Sequence, residues 1–431
     1  MNILLTGASG FIGKPLARAL LAKGHRVVHA VHHSSHDPDH ANARMVNVDF
    51  VRDTNPSVWI PRLAGIDVLI NAVGIIREHG TQTFNAVHVQ TPTALFAACE
   101  SAGVHRVIQI SALGADESAR SRYHVSKLDA DTFLASLSLQ SAIVQPSLVY
   151  GPGGASARLF SMLASLPLIG LPAGGRQLIQ PVHIDDLVET IFALVDADTP
   201  QGERLPMVGP EPVTMREFLQ RLRKAMRLGS GFFLTVPGAL TSIAATVGEK
   251  MPNSLIDRET LQMLERGNTG DPAPLCHLIG RAARPVEQFI PEREADAVRV
   301  QAQLSWLLPV LRWSVALVWI VTGIVSLGIY PVGESYALLA RVGIAGWMAP
   351  VALYGAALLD LVFGFATILM KRRRWLWWAQ IATILFYTAV ISLRLPEFWL
   401  HPYGPLLKNL PMLAAIWLLL ELERSAWTTS R

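Results

Sequence analysis

Hydrophobic positions change their spacing partway along this chain of 431 residues. Up to about residue 300, short apolar runs, such as those in residues 3–5 and 67–73, alternate with segments in which apolar residues recur every three or four positions. Short continuous runs are typical of strands buried on both faces of a parallel sheet, and the wider spacing is typical of helices. From about Leu304 onward, long uncharged segments replace this alternation. The pattern predicts an α/β region followed by a membrane region.

The α/β region divides into strands and helices that follow one another regularly. After the first strand, a helix that includes residues 15–21 ends near Lys23, with Gly24 as its left-handed stop. The later helices are predicted at residues 83–102 and 155–166, and the later strands at residues 26–31, 43–48, 67–73 and 107–110. Strands that alternate with helices indicate a doubly wound parallel sheet.

Three glycines connect the first strand to the first helix. Gly7, Gly10 and Gly13 are spaced by three within residues 6–13, which read TGASGFIG. Glycine is required where the backbone turns tightly, approaches a pyrophosphate and lets a helix pack closely on a strand. The helix then offers unpaired N–H groups and a positive dipole end to the phosphates. This turn predicts a dinucleotide site.

The end of the second strand bears on the choice of nucleotide. An NAD-binding protein is expected to have an acidic residue there for the adenosine ribose, but residues 29–33 read HAVHH. Because no carboxylate would repel a 2′-phosphate, we predict NADP, with NAD as the alternative and with His32, His33 or Lys14 as phosphate partners. Asp49, after the third strand, is either an adenine contact or a turn residue. We expect no metal site in the histidine-rich residues 29–40, which have no acid or cysteine at a ligand spacing.

A serine, a tyrosine and a lysine form the candidate catalytic group. Ser111 follows the strand at residues 107–110, and residues 123–127 read YHVSK. Tyr123 and Lys127 lie four positions apart and share one helical face, where the ammonium is expected to lower the pKa of the phenol. The phenol can then exchange a proton with a carbonyl or an alcohol, while the lysine holds the nicotinamide ribose and the serine holds the substrate oxygen.

These motifs together resemble an atypical or extended short-chain dehydrogenase/reductase. More narrowly, they resemble the branch that includes the dinucleotide-binding accessory subunit of respiratory complex I. This narrower resemblance rests on residues 70–78, 111–116, 145–153 and 180–187, which read INAVGIIRE, SALGAD, QPSLVYGPG and QPVHIDDL. It covers about residues 1–290 and implies a Rossmann-type sheet with a small substrate lobe. The catalytic residues implied are Ser111, Tyr123 and Lys127, and the predicted cofactor-binding residues are Gly7, Gly10, Phe11, Ile12, Gly13, His32, Asp49 and Lys127.

One position departs from this family. His88 stands where many relatives carry an asparagine. Three functions therefore stay open. The first is hydride transfer between a nicotinamide and a carbonyl or alcohol, on a substrate that is lipophilic, even a quinone. The second is non-catalytic nucleotide binding in the assembly or stability of a respiratory complex, and the third is an epimerase or dehydratase with bound NAD.

The region between the sheet and the membrane segments is predicted to form the substrate lobe. We place the nucleotide-binding domain at residues 1–205, and the lobe with its linker at 206–300, with a contribution from 151–180. Thr214 opens a helix with a capping-box spacing. Asp185 stands where an earlier helix begins and is expected to cap that helix rather than to act with His183. Residues 232–247 read as a buried lobe helix or a membrane-surface helix, and residues 272–293 as a linker or a loosely packed edge.

The last domain, residues 301–431, contains four candidate membrane spans. Each is long enough to cross the hydrocarbon core, and we place them near residues 313–330, 344–370, 375–393 and 405–422. A basic run at residues 371–374, followed by three tryptophans, is predicted to face the cytoplasm. Both termini and the nucleotide-binding domain would then be cytoplasmic, in a multi-pass protein of the inner membrane. This block resembles the DoxX family. Asp360 lies within the second span and is expected to take part in proton handling or quinone contact, or to bond to a neighbouring helix, for example to Arg312.

Composition narrows the classes of partner. The net charge is only +4 and the basic residues cluster partly beside the membrane segments, so we expect no nucleic-acid partner. Cys99 and Cys276 have no ligand-like spacing, which argues against a disulfide framework and a structural zinc site. The sequence therefore predicts a membrane-anchored NAD(P)-dependent oxidoreductase of a reducing compartment.

Overall fold

The structure is a computed structural model of the chain. It describes residues 1–32, 42–197, 200–241, 266–371 and 373–428, together with residues 246, 259, 262 and 263. Two compact units are present, Met1–Ala302 and Gln303–Arg431. His33 and most of the histidine-rich run lie outside the described residues.

A seven-stranded parallel sheet forms the centre of the first unit, in the order β11-β6-β5-β4-β1-β2-β3. Its inner strands are apolar and buried on both faces, as the short apolar runs predicted. The Rossmann-type α/β fold is thereby confirmed. Its strands are β1 Asn2–Thr6, β2 Arg26–Val31, β3 Ala43–Asn47, β4 Val68–Asn71, β5 Arg106–Ile110, β6 Gln140–Pro146 and β11 Glu203–Met207.

Helices cover both faces of this sheet and form two buried clusters with it. They are α1 Gly13–Ala22, α2 Pro56–Trp59, α3 Thr91–Ala102, α4 Arg122–Ser136 and α6 Ile184–Asp196. The helix predicted at residues 83–102 consists of two kinds of helix. Its first part, Asn85–Gln90, is a π-helix, and it continues directly into α3. A π-helix turn is wider than an α-helix turn and often marks a functional site. This one carries His88.

A smaller lobe joins the sheet at its carboxyl end and has its own apolar cluster. It contains the short strands β7 Val149–Tyr150, β8 Leu168–Pro172, β9 Leu178–Ile179, β10 Val182–His183, β12 Val213–Thr214 and β13 Phe232–Val236, and the helices α5 Ala155–Ser165 and α7 Met215–Ala225. The predicted capping box is confirmed, since Thr214 and Glu217 cap each other at the start of α7. The expectation that Asp185 caps α6 is wrong. His183 is the N-cap, and Asp185 lies in the first turn, paired with Arg284.

Two further expectations about this lobe are corrected. Residues 232–236 form β13, which pairs with β8, and only residues 238–241 and 246 of the predicted helix are helical, while residues 242–245 and 247 lie outside the described residues. Residues 272–293 are not a loose linker. They form the helix α8 Ala273–Ile279 and pack through Leu275 and Phe289, and Arg281 pairs with the buried Asp186.

The second unit is helical. The helix α9 Ala295–Ile324 begins in the first unit and ends in the second, and α10 Val332–Arg341, α11 Met348–Leu369, α12 Arg374–Arg394 and α13 Asn409–Thr428 follow it. Among the described residues, three helical stretches are long and apolar enough to span a membrane: Glu292–Ile329, Met348–Leu369 and Arg374–Arg394. The fourth predicted span corresponds to α13, whose last turns carry Glu421 and Glu423, and it is not one of the three.

The partner proposed for Asp360 is also corrected. Arg312 pairs with Glu423 on α13, with 3.0 Å between its Nε and Oε1, and Trp377 Nε1 donates to the other carboxylate oxygen at 3.1 Å. Arg373, from the basic segment before α12, lies 3.7 Å from the same carboxylate. Arg312 is therefore committed to Glu423 and not to Asp360.

Candidate active site

The glycine turn packs so closely that side chains cannot fit. Gly7 has a φ of +67°, and a Cβ there would lie 2.7 Å from the carbonyl oxygen of Ala72. A Cβ at Gly13 would lie 2.0 Å from the carbonyl oxygen of Gly7. The amide of Gly10 donates to the same Gly7 oxygen at 2.8 Å, which closes the turn. A Cβ at Gly10 would lie 3.0 Å from that oxygen as well, so a side chain at any of the three positions would crowd the main chain.

The turn leads directly into the N-terminus of α1. Ile12 occupies the N-cap position without a side-chain cap, and the first turn carries no acidic residue. The phenyl ring of Phe11 lies against Gly154, where a Cβ would come within 2.8 Å of it. The N-terminus of α1 thus keeps the polarity that suits an anion.

At the ends of β2 and β3, the predicted cofactor residues meet. His32 Nε2 lies 3.9 Å from the carboxylate of Asp49, and Arg52 Nε lies 3.7 Å from it on the other side. Asp49 also accepts the amide hydrogen of Val51 at 2.9 Å, so it is a turn residue whose carboxylate is partly exposed. In the part of the chain that the structure describes, no group of three or more histidine, cysteine or acidic residues is arranged to hold a metal.

The loop after β4 contacts the glycine turn on one side and Lys127 on the other. Lys127, on α4, is 3% exposed, and its ammonium donates to the carbonyl oxygen of Ile110 at 3.0 Å and approaches that of Val73 at 3.4 Å. A Cβ at Gly74 would lie 3.2 Å from this ammonium, so a side chain there would press on Lys127. Burial lowers the pKa of Lys127 to about 8, against the opposing charge of Asp131.

Tyr123 lies one turn before Lys127 on the same helix and is half-buried among aromatic rings. Its ring centroid is 5.9 Å from that of Phe84, 5.5 Å from that of His88 and 5.3 Å from that of His124. Burial and the charge of Asp131 raise the pKa of Tyr123 to about 12. The expectation that Lys127 lowers this pKa does not hold in this structure, because desolvation disfavours the phenolate.

Ser111 has a partner that the sequence analysis missed. Its hydroxyl donates to Oδ2 of Asp131, one turn beyond Lys127 on α4, and both residues are buried. Burial raises the pKa of Asp131 to about 6, although the Ser111 hydrogen bond and the charge of Lys127 oppose the shift. The spacing of Tyr123, Lys127 and Asp131, four residues each, is a helical signal that could have identified Asp131.

His88 is held as a neutral ring. The amide of Ile75 donates to its Nε2 at 3.0 Å, so the proton is assigned to Nδ1, which lies 2.9 Å from Ser126 Oγ. Ser126 in turn donates to the carbonyl oxygen of Tyr123 at 2.8 Å. Burial, with the charge of Lys127, lowers the pKa of His88 to about 2. His88 therefore links the loop after β4 to the helix turn that carries Tyr123.

A chain of buried polar side chains crosses the sheet beneath these loops. Thr6 donates to Asn71 at 2.5 Å, and the amide of Asn71 donates to Gln109 at 2.7 Å. These three residues belong to β1, β4 and β5, adjacent in the sheet. The strands that carry the glycine turn, the Gly74 loop and Ser111 are thus held in register by side chains as well as by the backbone.

A cavity of about 280 Å³ opens beside this region, between the π-helix and the start of α4. Phe84, Ser126 and the ion-paired Glu78 and Arg122 are among the residues that line it. Ser111, Tyr123 and Lys127 are not among them. We therefore place the candidate chemistry at the carboxyl ends of β1, β4 and β5 and not in this cavity.

Comparisons with known proteins agree with this architecture. Residues 3–206 match the NAD dependent epimerase/dehydratase family, and residues 316–417 match the DoxX-like family. The chain is 30% identical to the ceramide reductase of Caulobacter vibrioides over 194 residues, which are 44% of this chain and 60% of that protein. It is 29% identical to the mitochondrial NADH dehydrogenase [ubiquinone] 1 alpha subcomplex subunit 9 of Arabidopsis thaliana over 51% of this chain and 57% of that protein. The matches thus span a little over half of each relative.

A solved structure shares the fold. MoeE5 in complex with UDP-glucuronic acid and NAD superposes with a TM-score of 0.51 at 20% identity, covering 67% of this chain and 96% of MoeE5. The resemblance predicted from the glycine turn, the YHVSK motif and the long apolar segments is confirmed. The chain joins an NAD-binding domain of the epimerase/dehydratase and reductase type, with relatives that include the complex I accessory subunit, to a C-terminal DoxX-like domain.

Proposed function

We propose that this protein is a membrane-anchored NAD(P)-dependent oxidoreductase that transfers hydride between a nicotinamide and a carbonyl or alcohol. Tyr123 is the general acid/base and Lys127 contacts the nicotinamide ribose. Ser111 fixes the reacting oxygen. The nucleotide lies on Gly7, Gly10, Phe11, Ile12 and Gly13, with His32 and Asp49 at its adenosine end.

The position of Lys127 is the observation that carries this proposal. A buried ammonium is costly, and here it is retained at the end of β5 by two backbone carbonyls and faces the side-chain-free Gly74. A surface Tyr-x-x-x-Lys pair would instead direct its ammonium into solvent. A cation placed beside the loop after β4, which contacts the glycine turn, suits a ribose hydroxyl, and its pKa near 8 suits proton exchange at neutral pH.

Ser111 acquires a defined polarity from Asp131. Because its proton is directed to Asp131, its oxygen accepts hydrogen bonds and suits the hydroxyl form of the substrate. Asp131 is then a positioning residue for Ser111 and Lys127. When cofactor binds, a ribose hydroxyl beside Lys127 and a substrate oxygen beside Tyr123 complete the hydrogen bonds that the phenol needs for proton transfer.

For the cofactor we propose NADP. The end of β2 presents no acidic residue, and His32 and Arg52 flank the carboxylate of Asp49. His32 and Arg52 are both able to donate hydrogen bonds to the oxygens of a 2′-phosphate.

For the substrate we propose a lipophilic carbonyl or alcohol from the bilayer. The similarity to a ceramide reductase and the DoxX-like domain support this assignment. We propose that the protein lies in the inner membrane, and the basic run that follows α11 favours a nucleotide-binding domain on the cytoplasmic side.

The test begins with the nucleotide that copurifies with the full-length protein. We expect NADPH or NADP, identified by mass spectrometry, and saturable oxidation of added NADPH in the presence of long-chain ketones in lipid nanodiscs. Tightly retained oxidised NAD that is never consumed would favour the epimerase/dehydratase alternative and would contradict a reductase.

A second candidate function is supported by a specific observation. His88 is neutral and occupies both ring nitrogens in structural hydrogen bonds, and the chain resembles a subunit of NADH dehydrogenase. A nucleotide-binding protein that stabilises a respiratory complex needs no proton relay. Nucleotide binding without turnover on any carbonyl, together with loss of complex I assembly on deletion, would favour this function.

A further inference from the structure

The second unit has three buried polar side chains among its described residues, and one of them differs from the others. Gln380 accepts a hydrogen bond from Trp319 Nε1 at 3.0 Å and donates to Thr367 Oγ1 at 2.8 Å, and Thr367 donates to the carbonyl oxygen of Phe363. Asp360 is 5% exposed, and its Oδ1 is inaccessible and has no hydrogen-bond partner in the part of the chain that the structure describes. A buried polar atom without a partner is unusual and calls for an explanation.

Asp360 faces the inside of the bundle. From Ala357 onward, the buried positions of α11 are Ala357, Asp360, Phe363, Gly364 and Thr367, whose spacing places them along one face of the helix. The intervening residues, including Leu358, Leu359 and Val362, are apolar and exposed, as expected of a lipid-facing surface. The carboxyl group is therefore turned away from lipid and toward the neighbouring helices.

Small residues flank Asp360 on both sides. At Gly323 on α9, a Cβ would lie 2.8 Å from the carbonyl oxygen of Ala357, and at Gly364 a Cβ would lie 2.4 Å from the side chain of Ile320. The backbones of α9 and α11 are thus in close contact one turn before and one turn after Asp360. Such small-residue contacts hold membrane helices together by themselves, so the carboxyl group is not needed as an interhelical link.

We propose that Asp360 is the polar anchor of a binding site, inside the DoxX-like domain, for a neutral membrane-soluble molecule that carries a hydroxyl or carbonyl oxygen. In the described part of this unit, the salt bridges involve other carboxylates, namely Glu397 with Arg341 and Glu423 with Arg312 and Arg373. A carboxyl group can accept a hydrogen bond from a hydroxyl and, when it carries its proton, can donate one to a carbonyl oxygen. A charged ligand would leave one charge poorly compensated.

This proposal does not depend on the reductase function of the first unit. It assigns the ligand only by its chemistry: an uncharged polar head on an apolar chain. The proposal rests on the Oδ1 of Asp360, on the buried face of α11 and on the close contacts between α9 and α11, all of which lie in the second unit.

The test uses full-length protein in lipid nanodiscs and a twelve-carbon alcohol that carries a photoreactive diazirine at its far end. We expect saturable labelling of peptides from α9, α11 or α12, which excess 1-dodecanol and 2-dodecanone suppress and dodecane does not. Asp360→Leu should reduce labelling at least about tenfold, the size of one lost hydrogen bond in an apolar medium. Asp360→Asn, which keeps the shape and a hydrogen-bonding group, should retain most of it.

Glu397→Gln, at an exposed carboxyl in the same unit, is the matched control and should label like the wild type. Equal labelling of Asp360→Leu and the wild type would overturn the proposal. Absence of saturable labelling in the wild type, or equal competition by dodecane, would overturn it as well. The helical circular dichroism and the thermal unfolding of each variant in nanodiscs report whether the second unit remains folded.

Discussion

The glycine turn and the catalytic face of α4 differ in how they are built. The turn is proposed to bind the nucleotide, and the face of α4 is proposed to carry the groups that transfer the proton. The turn is made of backbone: Gly10 and Gly13 contact the carbonyl oxygen of Gly7, and Gly7 packs on the main chain of Ala72, directly after β4. The face of α4 is made of side chains brought from distant segments, such as Ser111 with Asp131 and His88 with Ser126. A backbone site is fixed by sterics and is insensitive to pH, whereas a site made of buried titratable groups changes with their protonation.

The largest effect is expected when a side chain is added to the turn. Gly13→Ala places a Cβ 2.0 Å from the carbonyl oxygen of Gly7. The turn must therefore open, and its amide groups no longer point toward the position of the phosphates. We expect at least about a 100-fold loss of NADPH affinity, measured by isothermal titration calorimetry. Gly229→Ala is the control, since a Cβ there meets nothing within 4 Å and the φ of Gly229 is not positive. Equal losses in both variants would break the proposed difference between the two regions.

The second test exploits the pH sensitivity of the α4 face. The pKa of Lys127 is lowered from 10.5 to about 8 in the folded protein, so the unfolded chain binds this proton more tightly. Between these two values, rising pH therefore favours the folded state through this group. From about pH 7.5 to about pH 10, the free energy of unfolding of the wild type should rise by about 2 kcal/mol more than that of Lys127→Met. Hydrogen exchange of the sheet peptides measures this difference.

Lys23→Met, at an exposed position after α1, is the control for this measurement and should follow the wild type. If the wild type and Lys127→Met show the same pH dependence, the ammonium of Lys127 is not held in a buried position and the account of the α4 face fails.

A smaller effect is expected at the adenosine end of the site. Asp49→Asn removes the negative charge between His32 and Arg52 while its amide oxygen can still accept the Val51 hydrogen bond. The affinity for NADPH relative to NADH should rise about fivefold. This corresponds to about 1 kcal/mol, the interaction of two unit charges about 4 Å apart in water. Asp196→Asn, at an exposed position ending α6, should leave the ratio unchanged. A fall in the ratio would argue that Asp49 does not face the 2′-phosphate.

Local patterns were sufficient to predict the parts of the molecule that depend on local contacts. The glycine turn, the order of strands and helices and the capping box at Thr214 follow from spacing within a few residues, and the structure has them where the sequence placed them. The change from an α-helix to a π-helix before α3 was not predictable, because apolar spacing does not distinguish a wider turn.

The missed features depend on partners far apart in the sequence. Asp185 has the sequence position of a cap, yet the helix begins at Ile184 and His183 is the N-cap, while Arg284, from a distant segment, pairs with Asp185. Arg312 pairs with Glu423, which lies 111 residues away, and no spacing rule connects them. Asp131 is the exception, since its four-residue spacing from Lys127 was visible but its partner Ser111 was not. Side-chain networks are specified by the packed fold, so the sequence indicates their members more readily than their pairings.

The central claim is that Tyr123 donates a proton during hydride transfer, and Tyr123→Phe tests it most directly. NADPH oxidation by the full-length protein with a long-chain ketone should fall at least about 100-fold, the usual contribution of a general acid. The dissociation constant for NADPH should change by no more than about twofold, since the phenol is not proposed to bind the nucleotide. Unchanged turnover in Tyr123→Phe, or NADPH binding by the wild type without any oxidation, would contradict the account.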